Sequence, residues 1–158
     1  MSKLVWRPVT PNGADYVVEH LRTSDQEEAM ASHHVDAYRA VYDSLDAATI
    51  SRAIWTEDGE PVGLCGVSTR EILGGGSLIW LLGTSELTAT AGRRRQLVVE
   101  GRAWVEQLLA EGRGPLLNWV HANNHCSIKW LAALGFRLDV PEPYGYSRQL
   151  FRYFVRTK

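Results

Sequence analysis

The chain has 158 residues, of which 45% are hydrophobic and 22% are charged, and its formal net charge is -1. This length and composition predict a single globular domain over residues 1–158 and exclude a disordered tail or a collagen-like repeat. Because acidic and basic residues nearly balance, no global basic field exists, and we expect no nucleic-acid partner and no membrane partner.

Cysteine and histidine spacing predicts no metal site. Cys65 and Cys126 are too few and too far apart for a CxxC pair or a structural zinc site. His121 and His125 straddle a strand-to-helix turn, and no third ligand is evident. The first residues lack the apolar core of a signal peptide, and no apolar run reaches the roughly 18 residues of a membrane span. We therefore expect a cytoplasmic protein.

The first third of the chain predicts one strand and two helices. Residues 4–9 form the strand, and Thr10-Pro11 is typical of a helix start, with the helix ending near Thr23. Apolar residues then recur at helical spacing from Met30 to Leu45. This spacing predicts one amphipathic helix.

The middle of the chain predicts a hairpin followed by a central strand. The hairpin covers residues 51–69, and its Asp58-Gly59 dipeptide suits a tight turn. Gly74-Gly75-Gly76 predicts a flexible connection. The run 78–82 is apolar without alternation, which favours a strand covered on both faces, lying between strands 62–67 and 116–121.

The last third predicts two helices and three strands. A long helix runs from about residue 97 to 108 and stops at Gly112, and strand 116–121 follows. A shorter helix over 127–134 ends at Gly135, and strands 136–140 and 149–155 flank a loop. This order of elements predicts a mixed sheet with helices on both faces.

A resemblance enters at the strand end that precedes the short helix. Asn124, Ser127-Ile128 and Leu134-Gly135-Phe136 resemble the second half of the pattern found in GNAT acyltransferases. The resemblance implies an α/β (α+β) fold with a mixed, mostly antiparallel sheet, a splayed centre and helices on both faces. It also implies transfer of an acetyl group from acetyl-CoA to an amine.

Four further blocks resemble small GNAT-like proteins of short-tailed phages, some of which are internal virion proteins. The blocks are Ile79-Trp80-Leu81-Leu82-Gly83-Thr84, Leu117-Asn118-Trp119-Val120, Ile128-Lys129-Trp130-Leu131 and Phe151-Arg152-Tyr153-Phe154. This narrower resemblance implies a phage-encoded protein in the host cytoplasm or the virion. It also offers a non-catalytic use for the same fold.

The GNAT resemblance implies a cofactor site at the end of the central strand. Leu82, Gly83 and Thr84 occupy the strand end whose backbone would hold the pantetheine arm. Asn124 is a candidate cofactor contact, although its side chain would equally serve as a cap for the short helix.

The expected phosphate cradle departs from the family pattern. Ala89, Ala91 and Arg93 stand where the family has three glycines, and alanine resists positive φ. The cluster Arg93-Arg94-Arg95 would compensate by pairing with phosphates, or would form only a solvated helix start. We therefore expect weak binding of acetyl-CoA.

The catalytic groups depart from the family pattern as well. Leu131 stands where the resemblance places a tyrosine general acid, so Tyr144 and Tyr146 in the following loop are the substitutes. His121 and Glu86 are the candidate general bases. Each of these four residues also has an ordinary reading as a packed or surface polar group.

Three functions remain open at this point. They are a GNAT acyltransferase, a non-catalytic phage virion or assembly protein, and a protein that binds a host target. The acyl acceptor is not named by the sequence, because the segments 24–45 and 140–149 that would build its pocket are the least stereotyped in this fold.

Overall fold

The structure, a computed structural model, describes residues 3–69 and 75–158. Eight strands are β1 (Leu4–Arg7), β2 (Ile50–Thr56), β3 (Pro61–Ser68), β4 (Ser77–Gly83), β5 (Leu116–His121), β6 (Arg137–Leu138), β7 (Glu142–Tyr144) and β8 (Gln149–Arg156). Five helices are α1 (Pro11–Glu19), α2 (Thr23–His33), α3 (Ala37–Ala47), α4 (Ala91–Ala110) and α5 (His125–Ala133). A short 3-10 helix covers Ser85–Thr88.

The strands form one mixed sheet in the order β1-β2-β3-β4-β5-β8-β6, and β7 also pairs with β8. Every recorded strand pair is antiparallel except β4 with β5, which is parallel. The predicted mixed, mostly antiparallel sheet is therefore confirmed. β4 lies between β3 and β5, which confirms the predicted central position of residues 78–82.

Helices cover both faces of the sheet, as predicted. On one face, Val17 of α1 and Val41 of α3 pack with Leu64 of β3. On the other face, Val105 of α4 and Leu131 of α5 pack with strand residues that include Val120. Each helix thereby removes the apolar face of the sheet from water, which is the main source of stability for such layers.

Local sequence signals set several element boundaries. The Thr10 side chain accepts a hydrogen bond from the Gly13 N–H and so caps α1. The hairpin turn between β2 and β3 places Gly59 at φ +93°, which glycine adopts without strain. Gly135 at φ +89° follows α5 in the same way. These predicted signals are confirmed.

The predicted helix from residue 30 to 45 is wrong, because the chain forms two helices there. His34 adopts the left-handed conformation at φ 56° and ends α2, and the Asp36 carboxylate accepts from the Arg39 N–H to begin α3. Continuous apolar spacing across the break hides it in the sequence. Two helices joined by a short turn therefore lie over the sheet, instead of one continuous helix.

Smaller differences concern the loops. The predicted loop at 141–145 contains β7, since residues 142–144 pair with β8. β4 is not covered on both faces throughout, because Trp80 and Leu82 are only partly buried. Gly74 of the predicted flexible connection lies outside the described residues.

In the described ranges, none of the helices combines the length and apolar character that a membrane crossing requires.

Candidate functional site

The sheet opens between β4 and β5 after two residue pairs. Ser77 pairs with Leu116 and Leu78 pairs with Leu117, and no further pair of this ladder forms. In an uninterrupted parallel ladder the next bond would run from the Trp119 N–H to the Ile79 carbonyl.

The side chain of Asn118 stands between those two backbone groups. Its Nδ2 donates to the Ile79 carbonyl oxygen at 2.9 Å, and its Oδ1 accepts from the Trp119 N–H at 2.9 Å. The carboxamide thus satisfies both groups while it keeps the strands apart. The splayed centre implied by the resemblance is confirmed, and Asn118 is its structural basis.

Beyond this wedge, β4 presents one residue's backbone to the gap. The Thr84 N–H donates to the Val62 carbonyl, so even-numbered β4 residues face β3 and odd-numbered ones face β5. The Gly83 N–H donates to Asp25 at 2.9 Å, and its carbonyl accepts from the Arg22 N–H at 3.0 Å. Leu81 remains, with its N–H and carbonyl directed into the opening.

A cavity of about 560 Å³ passes through this opening. On the face covered by α4 and α5 its walls are apolar. Representative lining residues there are Leu97, Trp104, Trp130, Leu131 and Phe154. This compartment suits an uncharged, extended chain.

On the opposite face, the cavity walls are aromatic and acidic. Because Leu78 and Leu117 are opposite one another, Trp80 and Trp119 project on the same face from either side of the gap. Tyr144 stacks on Trp119 with ring centroids 4.2 Å apart, and both line the cavity. The cavity therefore joins an apolar compartment to a polar, aromatic one.

Glu28 of α2 supplies the carboxylate of this second compartment. Its Oε1 accepts from the His121 N–H at 3.0 Å and from Asn124 Nδ2 at 2.9 Å, and the side chain lines the cavity. Burial raises the pKa of Glu28, and the hydrogen bonds from Asn124 and His121 oppose that rise. A carboxylate with a raised pKa is suited to accept a proton near neutral pH.

Glu28 is not among the candidates that the sequence pattern indicates. It lies on a helix of polar composition, and its partners are 93 and 96 residues away. The one signal that could have directed attention to it is an acidic residue on the helix that precedes the hairpin, opposite the end of strand 116–121. That signal becomes specific only when the sheet order is known.

Asp25, one turn before Glu28, fixes α2 to the end of β4. It is 3% exposed, and its Oδ2 accepts from Arg22 Nε at 2.8 Å and from the Gly83 N–H at 2.9 Å. Desolvation raises the pKa of Asp25, and the charge of Arg22 and the hydrogen bonds from Gly83 and Arg22 lower it. Asp25 is therefore a positioning residue for the wall that carries Glu28.

The predicted cofactor residues fall into two groups. Leu82 lines the cavity, whereas the Gly83 N–H is taken by Asp25 and the Thr84 N–H by Val62. The Asn124 Oδ1 accepts from the Ser127 N–H, which confirms the predicted cap of α5, and its Nδ2 donates to Glu28, while its contact to a cofactor stays a prediction.

The arginine cluster lies at the start of α4. Arg93 is buried, and its Nη1 donates to the Glu86 carbonyl at 2.7 Å and to the Glu86 carboxylate at 3.2 Å. Arg94 Nη1 donates to the Thr88 carbonyl at 2.9 Å and is exposed, as is Arg95. Arg93 thus holds the preceding turn, and Arg94 and Arg95 are at the surface beside it.

The two candidate tyrosines occupy different places. Tyr144 lines the cavity, and desolvation raises the pKa of its phenol. Tyr146 is 69% exposed, stacks on His34 at 4.4 Å and does not line the cavity. The structure therefore brings Tyr144, and not Tyr146, to the compartment that contains Glu28.

The two candidate bases lie outside the cavity lining. His121 Nδ1 accepts from the Asn123 N–H at 3.1 Å, so Nε2 carries the proton and donates to Gln149 Oε1 at 2.7 Å. The Glu86 side chain is about half exposed and pairs with Arg93. Neither side chain shares the compartment of Tyr144.

Other reactive groups give no second centre in the described ranges. Cys65 lines the cavity, but burial raises the pKa of its thiol to about 12, which disfavours the nucleophilic thiolate. Within residues 3–69 and 75–158, no group of three or more His, Cys, Asp or Glu side chains is placed to hold a metal ion.

Comparisons with known proteins bear on the fold. No protein-family model and no curated protein matches the chain. Among solved structures, spermidine N-acetyltransferase from Vibrio cholerae, in complex with CoA and spermine, superposes with a TM-score of 0.68 at 10% identity, covering 97% of this chain and 94% of that one. A GCN5-related N-acetyltransferase from Kribbella flavida gives 0.68 at 17% identity and 98% coverage of both chains.

A third match is the ribosomal-protein-alanine N-acetyltransferase from Brucella melitensis, with a TM-score of 0.62 at 19% identity, covering 96% of this chain and 97% of that one. At these identities the matches establish architecture. The chain has the GNAT fold over nearly its whole length.

Proposed function

We propose that this chain is an N-acyltransferase that moves an acetyl group from acetyl-CoA to an amine. The observation that carries the proposal is the cavity through the opened sheet, with an apolar compartment on one face and Glu28 and Tyr144 on the other. Two substrates entering from opposite faces would meet at the gap. The solved structures of the same fold named above are acetyltransferases, which supports this reading.

Residues of this chain fit the arm of acetyl-CoA. The Leu81 N–H and carbonyl offer one donor and one acceptor to an amide in the gap, and the apolar compartment accommodates the aliphatic parts. Bound there, the group would supply an activated thioester. The backbone groups of Gly83 and Thr84 are already bonded within the protein, so fewer strand-end contacts remain than the resemblance implies.

The start of α4 offers a smaller anion site than the family pattern. The Thr90 hydroxyl accepts a hydrogen bond from the Arg93 N–H, and the Thr90 carbonyl accepts one from the Arg94 N–H. The N–H groups of Ala91 and Gly92, in the exposed first turn, are thus left to meet a phosphate at the positive end of the helix dipole. We infer weaker binding than a glycine-rich cradle would give.

On the way from ammonium to amide the nitrogen loses two protons, and the departing thiolate gains one. Glu28 Oε1 is held by two donors, and the raised pKa of this carboxyl suits it to take the proton from the ammonium so that the nitrogen lone pair can attack the acyl carbon. The Tyr144 phenol is protonated at neutral pH, and desolvation raises its pKa further. Its hydroxyl is the proton donor for the departing thiolate, and the second proton that the nitrogen loses as the amide forms restores the phenol.

The experiment is a thiol-release assay with acetyl-CoA and a panel of amines, run on the wild type and on Tyr144→Phe and Tyr146→Phe. General acid catalysis contributes about a hundredfold or more, so Tyr144→Phe should lower kcat by about that factor. Tyr146→Phe, which changes an exposed tyrosine, is the matched control and should retain turnover. If the wild type transfers acetyl to none of the amines in the panel, the proposal is contradicted.

One observation favours a non-catalytic use of the fold, for which a phage virion or assembly protein and a protein that binds a host target are the candidates. Leu131 is 6% exposed and lines the apolar compartment at the position where the resembled family has a tyrosine. Under this alternative the protein would be found in purified particles or in a complex with its target rather than acting in the host cytoplasm. Mass spectrometry of purified particles tests it.

A further inference from the structure

Among the described residues, the polar, aromatic compartment contains one carboxylate without a cationic partner, that of Glu28. Of the three carboxylates that line it, Asp25 pairs with Arg22 at 2.8 Å, and Asp43, at the exposed mouth, pairs with Arg39 at 3.2 Å. Glu28 has only neutral donors, a backbone N–H and an amide. In the described ranges no cation lies within ion-pair distance of Glu28, and Arg22 acts on it only as a weak, longer-range attraction.

A partly buried carboxylate facing a cavity is stabilised by a ligand that brings one positive charge. Removing such a charge from water without a partner is costly, which the raised pKa of Glu28 reflects. A single ammonium group would neutralise it. A second ammonium on the same ligand would meet Asp25 or Asp43, whose charges are already compensated.

Next to the gap the walls of this compartment are aromatic. Ser32, His33 and Ser44 also line the cavity, and both serine hydroxyls donate to carbonyl groups of their own helices. Trp80 and Trp119 flank the gap on the face covered by α2 and α3, and Tyr144 stacks on Trp119. Aromatic faces attract a cation and flat apolar groups, but they give no carboxylate to a second ammonium and no hydrogen-bond partner to several hydroxyls.

We infer that the acyl acceptor is a monoamine with an apolar, preferably aromatic body, whose one ammonium contacts Glu28 and whose body lies against Trp80 and Trp119. This inference rests on the proposed function, since it names the acceptor class of the same site. This acceptor class differs from polyamines, which carry several charges, and from amino sugars, which carry several hydroxyls.

The test is titration calorimetry with four matched ligands, in the presence of CoA: 2-phenylethylamine, 2-phenylethanol, spermidine and glucosamine. We expect 2-phenylethylamine to bind about tenfold or more tightly than each of the others, since one ion pair and one aromatic contact together exceed 1.4 kcal/mol. In Glu28→Gln the affinities for 2-phenylethylamine and 2-phenylethanol should converge. Glu27→Gln, on the exposed side of the same helix and outside the cavity lining, is the control and should leave the preference unchanged.

Two results would overturn the inference: tighter binding of spermidine or glucosamine than of 2-phenylethylamine, or an unchanged preference in Glu28→Gln. Thiol release with the same four ligands is measured separately. Acetyl transfer that prefers spermidine would leave the proposed function standing and reject the monoamine class. Selective binding of 2-phenylethylamine without transfer would reject the acyltransferase and retain the amine site.

Discussion

Asn118 donates from Nδ2 to the carbonyl oxygen of Ile79 at 2.9 Å, and so a side-chain amide occupies the position of a peptide group between two parallel strands. The same carboxamide accepts from the Trp119 N–H, which leaves neither backbone group unsatisfied. Opening a sheet normally leaves donors and acceptors without partners, at a cost of about 1–3 kcal/mol for each buried group. Asn118 removes that cost at the first open position.

Replacing Asn118 by alanine should weaken binding of acetyl-CoA. Without the wedge, the Trp119 N–H and the Ile79 carbonyl are free to bond to each other, which narrows the gap beside Leu81. The cofactor would then lose its two hydrogen bonds to the Leu81 N–H and carbonyl. At about 1 kcal/mol each, these bonds correspond to a loss of about tenfold or more in affinity. Titration calorimetry measures it.

The matched control for Asn118 is Asn123→Ala, which removes an exposed asparagine in the turn after β5. Its affinity should stay within about twofold of the wild type, a range that surface changes rarely exceed. Equal affinity of Asn118→Ala and the wild type would show that the gap does not depend on the wedge.

Glu28→Gln should stabilise the fold at neutral pH even though it removes a functional group. Burial raises the pKa of Glu28, so the folded state holds this proton more tightly than the unfolded state does. Stability from this group is therefore present below the unfolded pKa of about 4.3 and is lost as pH rises through the folded pKa. Glutamine keeps an acceptor oxygen for His121 and Asn124 without that loss.

Urea unfolding at several pH values tests the Glu28 prediction. The difference in unfolding free energy between Glu28→Gln and the wild type should grow as the pH rises from about 4 to 7. Glu27→Gln, on the exposed side of α2, serves as the control and should show a smaller change. A difference independent of pH would contradict the assigned burial of Glu28.

Asp25→Ala should be strongly destabilising. It leaves the Arg22 guanidinium and the Gly83 N–H without their shared acceptor, and breaking a buried ion pair costs about 3 kcal/mol or more. Asp43→Ala breaks the exposed pair with Arg39 and should cost less than about 1 kcal/mol. Comparable losses of unfolding free energy in the two variants would show that Asp25 does not fix α2 to β4.

Arg94→Gln combined with Arg95→Gln tests whether the exposed arginines bind the phosphates of CoA. We expect the double variant to bind CoA at least about tenfold more weakly, because each charge-assisted hydrogen bond contributes about 1.5–3 kcal/mol and one such bond already corresponds to more than tenfold. Pantetheine, which lacks the phosphates, should bind the wild type and the variant equally. An equal loss for both ligands would point to a structural effect at the turn, where Arg94 also contacts Thr88.

The sequence predicted those element boundaries that depend on residues close together in the chain. The Asp58-Gly59 turn, the Thr10 cap and the Gly135 stop depend on residues a few positions apart, and all three are where the sequence places them. The break between α2 and α3 was missed because it depends on the left-handed conformation of His34. A histidine in the sequence does not by itself predict that conformation. β7 was missed because a strand of three residues has no detectable alternation.

The candidate site was predicted only in part, because its geometry depends on long-range contacts. Tyr144 lines the cavity, but its position follows from stacking on Trp119, 25 residues earlier in the chain. The position of Glu28 depends on its hydrogen bonds from His121 and Asn124, which only the assembled sheet brings together. The wedge of Asn118 likewise needs the register of β4 against β5.

Amide hydrogen exchange at Leu81 and Leu82, measured with and without acetyl-CoA, tests directly whether the cofactor binds in the opening between β4 and β5. We expect the Leu81 amide, which faces the gap, to exchange rapidly in the free protein and to become protected when acetyl-CoA is added. The Leu82 amide, directed to β3, should be protected in both states. An unchanged exchange rate at Leu81 with saturating acetyl-CoA would show that the cofactor does not bind in this opening.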